Sequence, residues 1–177
     1  LSLTGDSSFD GAAVFNESGA NKDFRIEGDT DVNLFFLDAS ADSIGIRSNS
    51  PNSTLHVAGS IRLPYVKVTS NNYNITATDY TVSIDNTSNN WTVNLPNANT
   101  CVGRIYVIKR FDENSTGSIT IDADSCNVQD PAGGFFSATI QIPIWYNGPC
   151  VFGGGVMYQS NGTDWEAIGA FPGVQAC

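Results

Sequence analysis

The sequence predicts an all-β protein. A short-strand N-terminal ribbon or shaft segment covers residues 1–61, and an antiparallel β-sandwich or jelly-roll-like domain covers residues 62–177. Three observations predict this class. Asn, Ser, Thr and Gly are abundant and charged residues make up only 15% of the chain, a composition that favours turns and an uncharged polar surface over helices. No stretch sustains apolar residues at spacings of three and four. Between Tyr80 and Asp124 the segments Thr81–Ile84, Trp91–Leu95, Arg104–Lys109 and Ser118–Asp122 are rich in Val, Ile, Thr, Tyr and Trp, with Asn, Asp, Ser, Gly or Pro between them. With 41% hydrophobic residues the chain can build a packed core.

Taken in order, the first sixty residues carry a rough repeat of alternating apolar pairs: Leu1/Leu3, Ala13/Phe15, Phe24/Ile26, Leu34/Phe36, Ile44/Ile46 and Leu55/Val57. Turn residues punctuate them, as at Gly5-Asp6, Gly28-Asp29 and Ser50-Pro51-Asn52. Each unit offers only two inward side chains, so one such ribbon cannot bury a sufficient core alone. It must stack on its own neighbours, on the following domain or on other copies of the chain. Self-association is therefore a physical expectation. Gly59–Val68 reads as the junction, and Pro64 inside an apolar run marks an edge strand or a bend.

Beyond Asp124, strands are expected within Phe135–Ile144, Cys150–Phe152, Val156–Gln159 and Trp165–Ile168. Ser160-Asn161-Gly162-Thr163-Asp164-Trp165 is a hairpin signal, because Asn-Gly favours the turn whose twist matches its flanking strands. Roughly eight to ten strands in the second region point to a sandwich or jelly roll.

Several of these residues carry a family resemblance. Phe15–Gly19, Asp23–Asp31, Leu37–Ser40, Ile44-Gly45-Ile46 and Pro51–Gly59 resemble a segment recurrent in bacteriophage tail fibres and related extracellular fibre or adhesin proteins. Such proteins continue Val/Ile-Gly-Ile with Gly-Thr, where this chain has Arg47-Ser48. Tyr80–Val82, Thr92–Pro96, Gly103–Lys109 and Asn161–Trp165 are similar to the head domains that follow such shafts. The resemblance implies trimers and binding to cell-surface structures.

The chain opens on Leu1 rather than Met, which fits a processed or excised product. Cys101, Cys126, Cys150 and Cys177 are widely spaced with no accompanying His, which argues against zinc. An even count in a chain that reads as extracellular points to one or two disulfides, with buried free thiols as the alternative. Asn-x-Ser/Thr sequons at Asn16, Asn52, Asn74, Asn86, Asn90, Asn114 and Asn161 are candidate N-glycosylation sites. Net charge of −10 repels phosphate backbones and anionic membrane surfaces, and no apolar run is long enough to span a bilayer.

No catalytic pattern is expected. The single histidine, His56, alternates with Leu55 and Val57 and so should face outward. Asp122/Asp124 and Asp112-Glu113 read as turn carboxylates rather than an acid/base pair across a cleft. Asp122, Asp124, Asn127 and Asp130 could gather oxygens for a structural calcium, but without the spacing of a calcium loop. Gly153-Gly154-Gly155 precedes a strand, which suits a bulge better than a phosphate cradle. Tyr73, Trp91, Trp145, Tyr146 and Trp165 could stack on sugars. Trp145-Tyr146, beside a loop, form the best candidate carbohydrate contact, against core or subunit interface as the plainer role. The expectation is a non-enzymatic, cofactor-free, extracellular subunit whose main partner is itself, in a secreted filament or on a virion surface, with a cell-surface glycan as a second partner.

Overall fold

A computed structural model of the chain describes residues 5, 10–70, 72–85, 90–111, 117–131, 134, 136–137, 139–142, 145–147, 150–152 and 154–171. The chain is all-β: among the described residues the one helical element is a 3-10 turn, Ala98–Thr100. It divides into two compact units, Leu1–Arg62 and Leu63–Cys177.

The first unit holds one sheet of four short strands in sequence order: β1 (Phe24–Ile26), β2 (Phe35–Asp38), β3 (Ser43–Ile46) and β4 (Leu55–Val57). β1–β2 and β2–β3 are antiparallel, and β3–β4 is parallel. Asp38 builds the β2–β3 turn: one of its oxygens accepts from the Ser40 amide at 2.9 Å, the Ser40 hydroxyl at 2.6 Å and the Ala41 amide at 3.0 Å. The β1–β2 loop closes through Gly28 N donating to Asp31 O at 2.7 Å. Three of the apolar pairs read from the sequence lie in β1, β3 and β4. In β2 the pair on the same face as these is Phe35/Leu37 instead of Leu34/Phe36. Leu34-Phe35-Phe36-Leu37 is four apolar residues in a row, so alternation could not choose between its two faces. Pairing decides it, with Phe35 opposite Ile26 and Ile46.

The second unit comprises β5 (Tyr65–Val68), β6 (Tyr73–Asn74), β7 (Thr81–Ile84), β8 (Trp91–Asn94), β9 (Ile105–Arg110), β10 (Ile119–Asp122), β11 (Val128–Gln129), β12 (Phe136–Ser137), β13 (Thr139–Ile142), β14 (Trp145–Asn147), β15 (Cys150–Phe152), β16 (Gly155–Ser160) and β17 (Trp165–Phe171). They form a seven-stranded sheet, β12-β11-β17-β16-β9-β7-β5, a four-stranded sheet, β13-β10-β8-β6, and the β14–β15 hairpin.

From β5 to β10 consecutive strands fall in alternate sheets. β5, β7 and β9 run parallel in the larger sheet, and β6, β8 and β10 run parallel in the smaller. The chain thus winds through this region as a flattened coil. The sequence leads one to expect antiparallel sheets here, and the sheets are mixed instead. Between β8 and β9 the connection is longer than a tight hairpin turn, and it carries the chain across to the opposing layer. Antiparallel pairing is kept at β9–β16, β16–β17 and β10–β13. Asn161–Asp164 makes the expected β16–β17 hairpin, with Gly162 at φ 94 and Asn161 Oδ1 accepting from the Thr163 and Asp164 amides at 2.8 Å each.

One core fills the space shared by the two larger sheets. Alternation along each strand supplies it: Trp91 and Val93 from β8, Tyr106 and Ile108 from β9, and Ile119 and Ile121 from β10. Trp165 is fully buried, donates its indole N–H to Pro96 O at 2.9 Å and lies 5.4 Å from the Tyr106 ring. Every buried hydrophobic side chain among the described residues belongs to this second unit.

Candidate functional site: an unpartnered apolar sheet face

In-register neighbours in a sheet point to the same side. In the first unit this rule collects Phe24, Leu37, Ile44 and Leu55 into one row, and Ile26, Phe35, Ile46 and Val57 into the next. One face of the sheet is therefore two complete apolar ladders, and none of these eight side chains is buried within the described chain. Leu55 is 59% exposed and Ile26 49%. Phe15 lies against this cluster with its ring 4.9 Å from Phe24, and is itself mostly exposed. Isolated exposed apolar residues are ordinary, but a contiguous face of them marks an interaction surface.

The opposite face carries Arg25, Phe36, Gly45 and His56. The β3–β4 crossover folds back over it. A Cβ at Gly45 would stand 2.0 Å from Ser48 O, so only glycine admits the crossover there. Arg47 leads into that crossover with φ +60, the left-handed conformation that glycine adopts most easily. Its amide donates to Leu34 O at 3.2 Å and its Nε pairs with Asp31 Oδ2 at 2.9 Å. The turn is thus made with arginine in a conformation that glycine would adopt more easily. His56 corrects the sequence expectation. It sits half-buried on the crossover side, while Leu55 and Val57 occupy the bare face.

The remaining candidates fall apart spatially. Cys101 and Cys126 are free thiols, and no disulfide joins described residues. Both sulfurs address Asn97 rather than each other. Cys101 Sγ donates to its carbonyl at 3.6 Å. Cys126 Sγ donates to its Oδ1 at 3.3 Å and accepts from Ala98 N at 3.3 Å. Cys177 and the side chain of Cys150 lie outside the described residues, as do the side chains of Trp145 and Tyr146, whose backbone forms β14. Trp91 and Trp165 are core residues, and Tyr73 is half-buried against Asp79, so none of the three presents a free ring face to a sugar.

Among the sequons, Asn16, Asn52, Asn74, Asn90 and Asn161 are described and Asn86 and Asn114 are not. All five described sequon asparagines are exposed; the Asn161 amide nitrogen donates to Glu166 Oε1 at 2.8 Å, and Asn90 Oδ1 accepts from the Ser118 amide at 2.9 Å. Asp122 Oδ1 accepts from the Asp124 amide at 2.9 Å, and Asn127 turns away to donate through N and Nδ2 to Asp164 Oδ1 at 2.9 and 3.0 Å. Among the described residues no three His, Cys, Asp or Glu side chains gather as a metal site. Asp112, Glu113 and Gly153 lie outside the described residues, and Gly155 opens β16 close against Lys109.

Comparison with known proteins adds no assignment: no protein-family model matches the chain, and no curated protein or solved structure matches it.

Proposed function

We propose that this chain is a non-enzymatic structural subunit of an extracellular fibre or filament, and that it self-associates through the apolar face of its N-terminal sheet. The observation that carries this reading is the pair of apolar ladders with no buried member, set beside a second unit that owns a complete core. Full burial of a Leu, Ile, Val or Phe side chain is worth about 1.5–3 kcal/mol. Eight of them half-covered leave a large driving force unspent in the single chain. A second and third copy of the same face would bury it by symmetric packing.

The reading is supported further by the similarity of Asp23–Asp31 and Gly103–Lys109 to fibre shafts and heads. A trimeric tail-fibre or adhesin tip is the form of assembly that similarity favours, with a cell-surface carbohydrate as the second partner. Extracellular placement, and a glycan coat on it, rest on the exposed sequons; one or two disulfides among Cys101, Cys126, Cys150 and Cys177 rest on their even number. Intact mass of native material before and after reduction and deglycosylation reads both.

The assembly reading is tested by sedimentation and electron microscopy of the full chain across a concentration series. Concentration-dependent trimers or long polymers are expected. A chain that stays monomeric at all accessible concentrations sinks the proposal.

A further inference from the structure

We infer that the open cleft beside Arg104 is a binding site for a carboxylate-bearing sugar residue. The cleft measures about 540 Å³ and is walled by Pro64, Thr78, Asp79, Tyr80, Arg104 and Ile105. That volume is in the range of small-ligand sites, roughly 300–1,000 Å³. It lies wholly within the second unit, so it does not rest on the assembly reading.

Arg104 stands two residues before Tyr106, hence on the same side of the strand. Tyr106 is inside the core, and Arg104 is one step past its rim. The tyrosine hydroxyl donates to Thr76 O at 3.0 Å and accepts from Arg104 Nη1 at 3.4 Å. Among the described residues no carboxylate pairs with this guanidinium.

The acidic residue of the wall, Asp79, is already spent. Tyr73 Oη donates to both its oxygens at 3.1 and 3.2 Å, and the Thr76 amide and hydroxyl donate to Oδ2 at 2.8 and 2.9 Å. Burial first, and then Asp79 beside it, push the Tyr73 hydroxyl above its ordinary value, so it stays a donor in this network. The guanidinium fork therefore has N–H groups left over, in the geometry that suits a carboxylate.

The rest of the wall selects what carries that carboxylate. Pro64, Tyr80 and Ile105 offer an apolar surface for the C–H face of a pyranose, and Thr78, whose hydroxyl proton goes to Thr76 Oγ1 at 2.9 Å, keeps lone pairs to accept from an O–H group. A uronic acid residue brings one carboxylate and several hydroxyls. An acidic peptide brings comparable carboxylates without the C–H face and the ring hydroxyls that the rest of the wall would take.

The test is calorimetric titration of the full chain with oligogalacturonate, with its methyl-esterified form and with a poly-glutamate peptide of equal length. Binding of oligogalacturonate at a Kd on the order of a millimolar or tighter is expected, weakened about tenfold or more by esterification and by Arg104→Gln. Arg104→Lys should recover part of the loss, and Thr78→Trp, which narrows the cleft and leaves Arg104 in place, should abolish binding. Unchanged unfolding midpoints separate these effects from misfolding. No binding of oligogalacturonate, equal binding of its ester, an unaltered Kd in Arg104→Gln or Thr78→Trp, or tighter binding of the peptide would each overturn the inference.

Discussion

Replacing Leu55 by serine separates a residue that stabilises the single chain from one that joins chains. Leu55 ends one apolar ladder on β4 and is 59% exposed. In the single chain its loss removes little packing, so the unfolding midpoint should move by no more than about 0.5 kcal/mol. In an assembly the same side chain has roughly 100 Å² left to bury, about 2.5 kcal/mol at 25 cal/mol per Å². Each copy should then lose about 2 kcal/mol of association, roughly 30-fold in the apparent constant per copy. Sedimentation velocity over a concentration series reads the association, and urea unfolding of dilute protein reads the stability. Ile168→Ser is the control, since Ile168 is 45% exposed but belongs to the second unit. The reasoning fails if Leu55→Ser assembles like the parent chain, or if Ile168→Ser weakens assembly as much.

Four further outcomes are expected. Gly45→Ala places a Cβ 2.0 Å from Ser48 O and should cost about 1–3 kcal/mol in the first unit; proteolysis within the 47–54 crossover should accelerate while the melting of the second unit stays put. Trp165→Phe removes the 2.9 Å bond to Pro96 O from a fully buried site and should cost the second unit about 2 kcal/mol, read as a lower urea midpoint. Acid should loosen the first unit. The Asn33 amide, then Arg47, holds the Asp31 carboxyl below its usual value, and the Ser40 hydroxyl, then the Ala41 and Ser40 amides, does so for Asp38. Depressed folded-state values give stability that is present above the unfolded value of about 4 and lost as pH falls through the folded one, so the amide signals of Asn33 and Ser40 should shift towards random-coil positions in that window; signals that stay fixed below it count against the assignment. If the chain is made in a glycosylating secretory host, Asn52 and Asn90 should be modified well ahead of Asn161, whose side chain is bound at both ends; equal occupancy by peptide mass spectrometry would contradict this.

Alternation in the sequence reports which residues share a face wherever apolar and polar residues strictly alternate. Trp91/Val93 and Ile119/Ile121 share the core face for that reason, whereas Tyr106/Ile108 stand in the four-residue apolar run Ile105–Ile108. It does not report which strand lies alongside. The order Thr81–Ile84, Trp91–Leu95, Arg104–Lys109 was legible as strands, yet parallel winding and an antiparallel meander share the same alternation. Where four apolar residues run together, as at Leu34–Leu37, even the face was undecided. Two-residue strands such as Tyr73–Asn74 and Val128–Gln129 leave no period to read. His56 was misplaced because Leu55 and Val57 were assumed to seek the covered side, whereas the covering is done by backbone passing over Gly45. The Arg104 cleft escaped a reading that looked for histidines and paired acids. Its signal is an arginine left over after neighbouring acids are spent, which only the contacts reveal.

The edges of the two larger sheets bear on how copies of the chain can meet. β5 closes one side of the seven-stranded sheet, and Pro64, which has no N–H to offer, precedes it. Lys67 stands on that same strand, paired to Asp85 at 2.8 Å. The strands at the ends β6 and β12 are two residues long. Short, charged or proline-flanked edges are poor templates for another strand. Runaway growth along the hydrogen-bonding direction, the route to amyloid-like aggregation, is thereby discouraged at these three edges. Contacts between copies are steered towards side-chain faces, whose extent is finite and whose closure limits the size of what forms.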